Sequence, residues 1–256
     1  MSGDEPDHRT GGAPKKRGSE VSRRRLLLAG TGAAGLVVGA AATETRDLLT
    51  PPAQPDQVMQ PVDQIPPSED LMREHGVLKR ILLAYREVID RLHHGRDVPA
   101  DALHQAATIV HDFIEGFHEG LEEAYVFPRL QHAGKHVDVV QTLLVQHARG
   151  RRITQQLLTD ATAHGLDDAD TRGRIADNLA GFVGMYEPHD AREDTTIVPT
   201  FREITPDKQF AHLGEHFADL EAKQFGRHAF DDRLTRVTQI ETSLGIHDLA
   251  QFTPPP

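Results

Sequence analysis

The chain has 256 residues, no cysteine, no tryptophan, 16 histidines and a formal net charge of −11. Thiolate metal sites, disulfides and cysteine nucleophiles are therefore excluded, and imidazole is the main soft ligand on offer. Beyond Ala42, 21 Lys and Arg meet 35 Asp and Glu, a net of −14 that argues against nucleic acid and anionic lipid as partners.

In chain order, residues 1–42 stand apart. Ser22-Arg23-Arg24-Arg25 precedes an apolar run from Leu26 to Ala42 that is interrupted by Gly30, Gly32, Gly35 and Gly39. That is short and thin for a membrane-spanning helix, which wants about 20 apolar residues. The stretch resembles a twin-arginine export signal, with Ala40-Ala41-Ala42 as its cleavage site. The resemblance implies an extracytoplasmic protein delivered by the twin-arginine machinery; an uncleaved N-terminal membrane tether is the alternative. Residues 43–67, with Pro51, Pro52, Pro55, Pro61, Pro66 and Pro67, read as an extended linker.

Four amphipathic helices follow. Ser68 is an N-cap candidate with Glu69 and Asp70 in the first turn, and apolar positions from Leu71 to Leu92 recur at helical spacing until Gly95. Pro99 and Asp101 open a second helix that runs to about Leu130, with Gly116 and Gly120 inside it either as places for a close approach of a partner helix or ligand or as glycines the helix merely tolerates. A third spans residues 136–164, up to Gly165. The fourth starts at Asp167 or Asp170 and continues toward Phe201. Long helices with short connections predict an all-α, antiparallel up-down four-helix bundle over residues 68–203. Residues 204–250 add a helical hairpin, 210–225 and 231–244, and residues 251–256 read as a disordered tail.

The chemistry lies in a repeat. His118-x3-Glu122 is followed by Glu123 and Pro128; further along, His189-x3-Glu193 is followed in the same register by Asp194 and Pro199. Glu74-His75 and Gln146-His147 echo one another at almost the same interval, each followed by a basic pair, Lys79-Arg80 and Arg151-Arg152. On a helix, positions four apart share a face, so each His-x3-Glu aims an imidazole and a carboxylate at one point. The helices in turn supply one His, His plus Glu, one His, and His plus Glu. Four imidazoles and two carboxylates suit a pair of iron, manganese or zinc ions bridged by the carboxylates. Competing spacings exist at His111-x3-Glu115, His132/His136 and His212/His216. Glu115-x-x-His118 also matches a ferritin-like element, whose second copy fails because Tyr186 stands at its equivalent position. Glu74, Glu123 and Asp194 read as solvated groups or as groups that orient the imidazoles.

These motifs resemble the hemerythrin-like (HHE cation-binding) family of non-heme di-iron four-helix bundles. The resemblance implies that Glu122 and Glu193 bridge two irons, with His75, His118, His147 and His189 as terminal ligands. Oxygen-carrying members place a further histidine where this chain has Arg151, which argues against reversible oxygen carriage; Arg151 is then either solvated or placed to stabilise a bound anion. The function implied is a di-iron protein that binds or reacts with O2, NO or peroxide, serving oxygen, NO, oxidative-stress or iron handling. No separate catalytic residue stands out, so an enzyme acting on peroxide or NO would draw on an external redox partner. The other reading is a metal-free or zinc-binding helical interaction module; it is the less supported, because all six ligand positions are filled.

Overall fold

A computed structural model describes residues 65–255. The export-signal reading at 1–42 and the linker reading up to residue 64 lie outside these residues. Six long helices account for most of the rest: α1, Pro67–His93; α2, residues 100–132; α3, Val137–Asp160; α4, residues 169–204; α5, Asp207–Phe225; and α6, Ala229–Ser243. Among the described residues there is no strand, and no helix is long and apolar enough to cross a membrane.

α1 packs on α2 and α4, and α3 packs on the same two helices. Between them lies a core of Leu78, Ile81, Tyr85, Phe113, Ile114, Phe182 and Tyr186, each at most 2% exposed. The periodic apolar positions of α1 are the ones it buries, and burial of that stripe supplies most of the helix's stability. α5 and α6 pack against α1 and α2. Phe225 meets Phe113 and Phe117 edge-on at 6.0 and 5.6 Å, and Arg80 forks onto Glu241 at 2.8 and 2.5 Å.

Several boundaries differ from expectation. Ser68 is not the cap of α1: the helix starts at Pro67, where a missing N–H costs nothing and the fixed φ suits a first turn. α3 stops at Asp160, short of Gly165, and Thr162 caps a one-turn helix, Ala163–Asp167, by accepting from the Gly165 amide. α4 is capped by Asp168, which accepts from the Thr171 amide at 2.8 Å, so neither Asp167 nor Asp170 holds that place. A 3₁₀ turn, Leu249–Phe252, capped by Asp248, reaches into the segment read as a disordered tail.

α2 and α4 are not uniform. Each contains a short π segment, Glu122–Val126 and Glu193–Ile197, and each segment ends just before a proline, Pro128 or Pro199. Proline has no N–H and its ring crowds the carbonyl four residues back; a wider turn relieves both faults without breaking the helix. The repeat in the sequence is thus also a repeat of backbone geometry. A further π segment, Val110–His118, lies earlier in α2.

The expected close approach at Gly116 or Gly120 is found elsewhere. A Cβ at Gly120 would meet nothing within 4 Å, and one at Gly116 only the His111 carbonyl at 3.1 Å. At Gly150 of α3 it would overlap the Tyr186 hydroxyl and lie 2.9 Å from two ring carbons. Tyr186 has no room to give, since its ring stacks on Phe182 at 4.2 Å and its hydroxyl donates to Glu119 at 2.6 Å. Gly150→Ala should therefore lower stability by about 1–3 kcal/mol, as overpacking does, although alanine is the better helix former by about 1 kcal/mol. A denaturation midpoint above that of the wild type would refute this packing.

Candidate metal centre

His75 sits on α1, His118 and Glu122 on α2, His147 on α3, and His189 and Glu193 on α4. The structure brings all six sequence-predicted residues into one cluster in which none is more than 4% exposed. Glu122 Oε2 lies 3.6 Å from His118 Nε2 and 3.6 Å from His147 Nε2. Glu193 Oε2 lies 3.4 Å from His75 Nε2 and 3.1 Å from His189 Nε2. The rings of His75 and His118 pair at 4.7 Å, and those of His147 and His189 at 5.0 Å. Each carboxylate therefore spans from one imidazole pair to the other.

The outward nitrogens explain why the inward ones converge. His75 Nδ1 meets Asp194 at 2.6 Å, His118 Nδ1 meets Glu74 at 2.7 Å, His147 Nδ1 meets Glu123 at 3.0 Å, and His189 Nδ1 meets Gln146 at 2.9 Å. An Nδ1–H donated outward fixes the tautomer that leaves the Nε2 lone pair facing in, the state a metal requires. Glu74, Glu123 and Asp194 are thus orienting groups. Gln146 does the same work and is not evident from side-chain chemistry alone; the signal for it is the repeat, which aligns it with Glu74.

Cations complete two of these contacts. Lys79 Nζ donates to Asp194 at 2.5 Å, and Arg151 donates to Glu123 at 2.7 Å. Lys79 and Arg151 each follow a lone histidine by one turn, and each clamps the acid that holds that histidine. Arg151 also pairs with Glu119 at 2.7 Å. The Arg151 side chain is 38% exposed, and one of its terminal nitrogens pairs with both Glu119 and Glu123 behind His147.

The inner face is left largely without partners. All four carboxylate oxygens of Glu122 and Glu193, and His75 Nε2, are buried without a hydrogen-bond partner. His147 Nε2 and His189 Nε2 face each other at 3.3 Å, which needs a shared proton or a cation between them. Burial, then the neighbouring Glu193, pushes the Glu122 pKa well above the carboxylate range. Burial also acts to raise Glu193, but His189 and His75 outweigh it and hold that carboxylate ionised. Burial opposes charge on His75 too, yet Asp194 and Glu193 keep its pKa well above the ordinary value, whereas burial and the charge on His75 depress His118. His147 is likewise lowered by burial. Glu123, bonded to His147 and Arg151, is held down to about 2. Converging acceptors with this much uncompensated burial fit a cation, and the cluster fits a metal site.

The competing spacings do not join it. His111 pairs with Asp112, Glu115 accepts from Thr154, His136 meets Thr200 and His216 meets Tyr125. His212 is exposed, and His132 lies at the end of α2 away from the cluster. Glu119, Glu123 and His147 form a second acidic group, but Arg151 already occupies it. Tyr186, whose ring stacks on Phe182, also closes a polar contact onto Glu119 beside His147.

Comparison with known proteins points the same way. The chain is 43% identical over 238 residues to an uncharacterized protein of Mycobacterium bovis and to uncharacterized proteins of two strains of Mycobacterium tuberculosis. The alignment covers 91% of this chain and 91% of each relative. No solved structure matches. The family profile described as hemerythrin HHE cation binding domain matches residues 67–201, the stretch that carries every residue of the cluster. The helices and the converging histidines and glutamates are those of a hemerythrin-like cation-binding domain, and the chain belongs to that family.

Proposed function

We propose that the domain is an antiparallel four-helix bundle holding two non-heme irons, and that its centre binds or reacts with a small molecule such as O2, NO or peroxide on the far side of the cytoplasmic membrane. The observation that carries the metal reading is the set of buried, partnerless oxygens on Glu122 and Glu193, each set between one histidine of either pair. His75 and His118 would hold one ion, His147 and His189 the other, and the two glutamates would bridge. Iron there would supply one-electron chemistry and an open coordination position. The chain's own part is to present four oriented imidazoles, to balance charge with two carboxylates and to keep bulk water out.

Reach for a small ligand is supported by a surface cleft of about 310 Å³ between α3 and α4, lined by Val139, Thr142, Leu143, Gln146 and Arg192, with His189 in its wall. The commitment of Arg151 to Glu119 and Glu123 leaves no fifth imidazole at that place, in keeping with reaction rather than reversible carriage. A reductant would come from a separate redox partner. Export rests on Arg23-Arg24 and the thin apolar run alone.

Protein produced without the leader should carry close to two irons per chain by elemental analysis. Glu122→Ala with Glu193→Ala should abolish iron while far-UV circular dichroism stays helical; full iron in the double variant, or stoichiometric zinc with no iron affinity in the wild type, would refute the assignment. In chelator-treated protein at pH 7, Glu122→Gln should raise unfolding stability by about 1 kcal/mol or more, since a neutral amide avoids the cost of burying a carboxyl whose pKa burial and Glu193 push up. A lower melting temperature for that metal-free variant would count against the strain inferred at the cluster. Arg23→Lys with Arg24→Lys should retain the protein in the cytoplasm on cell fractionation; undiminished export would show that another route is used.

A further inference from the structure

One buried acid is unused by the centre as described. Asp190 follows His189 on α4 and is 1% exposed, and neither of its carboxylate oxygens has a hydrogen-bond partner. Its oxygens do not join the converging ligand atoms. Instead Asp190 forms part of the wall of a cleft of about 240 Å³ between α1 and α4, shared with Lys79, Leu82, Leu83 and Glu187. The lysine in that wall is already committed to Asp194. Glu187 accepts from Arg86 at 2.9 Å, an exposed pair of the kind that water and ions readily displace.

The helix sets three carboxylates in a line. Glu187, Asp190 and Glu193 recur at every third position of α4, so they follow one stripe at about 4.5 Å of rise per step. Exposure falls along it: the Glu187 side chain is 44% exposed, while Asp190 and Glu193 are buried. The stripe thus runs from the protein surface to an oxygen that faces His75 and His189. A carboxylate-lined cleft with low-dielectric walls concentrates cations, here on a body that is strongly anionic beyond Ala42. Hard oxygen donors without partners suit an ion that pauses and moves on.

We propose that this cleft is the route by which a divalent cation enters the buried centre, with Glu187 at its mouth and Asp190 as the carboxylate that passes the ion to Glu193. The proposal rests on the reading of the cluster as a metal centre. No covalent bond is made or broken, and the ion exchanges water for carboxylate oxygen at each station.

The test is the rate of metal uptake. The full chain, stripped with a chelator, is mixed with Co²⁺ under argon and followed by its visible absorption. Asp190→Asn keeps the shape and removes the charge; it should slow uptake by about tenfold, the low end of what a charge-lined cleft adds to an on-rate. The final cobalt per chain should not change. Leu83→Trp, which narrows the mouth without touching a carboxylate, should also slow uptake, and decides the matter should Asp190→Asn fail to fold. A wild-type rate in either folded variant overturns the proposal. A lower final cobalt content in Asp190→Asn overturns it too, since Asp190 would then be a ligand. A wild-type chain that takes up no cobalt would refute the metal centre itself, an outcome distinct from both.

Discussion

The structure depends on a closed ring of four hydrogen bonds. Glu74 on α1 holds His118 on α2, Glu123 on α2 holds His147 on α3, Gln146 on α3 holds His189 on α4, and Asp194 on α4 holds His75 on α1. Each of α1 to α4 orients the imidazole of the next, and the last returns to the first. No histidine is aimed by its own helix alone. The positions of the inward nitrogens are therefore set by how the helices pack, and a helix that shifted along its axis would lose two of these bonds at once.

Against that order stands an inner face that is unfavourable by itself. Buried carboxylates without partners cost free energy: burial and Glu193 push the Glu122 pKa up, while His189 and His75 hold that of Glu193 down against its burial. Positive charge placed among these groups would remove that conflict. The outer acids behave differently. Asp194 and Glu123 each have a histidine on one side and a cation on the other, so they remain ionised at the edge of the core. Orientation is rigid and satisfied, while the ligand face is left wanting. Binding sites commonly divide stability and function in this way.

Much of this is legible in the sequence, because a duplicated motif repeats its chemistry at a fixed interval. The six cluster residues, the helical class and the C-terminal hairpin follow from spacing and periodicity. Helix ends are less legible: Ser68 offers a good cap, but Pro67 beside it fills the first turn at no cost. Two of the π segments end just before Pro128 and Pro199, yet Pro188 sits in ordinary helix within α4, so a proline in a helical pattern does not by itself place such a segment. The partners of Arg151 are not legible, because a side chain's partner on another helix, here Glu123 and Glu119, has no signature at short sequence range. Asp190 and Gln146 escape a sequence reading for the same reason, and Gln146 is recoverable only from its alignment with Glu74.

The ring of hydrogen bonds also has a twofold character. The first helix pair contributes Glu74 to His118 internally, offers Glu123 outward and leaves His75 to be held from outside; the second pair does the same with Gln146 to His189, Asp194 and His147. Each half alone would have one imidazole and one acid with nothing to pair with. Two halves that each hold the other's open imidazole satisfy both, as the reciprocal contacts of a symmetric dimer do. Residues 67–204 thus carry two helix pairs that complete one another within one polypeptide. The two halves differ in charge at one link of the ring, the neutral Gln146 standing opposite the acid Glu74.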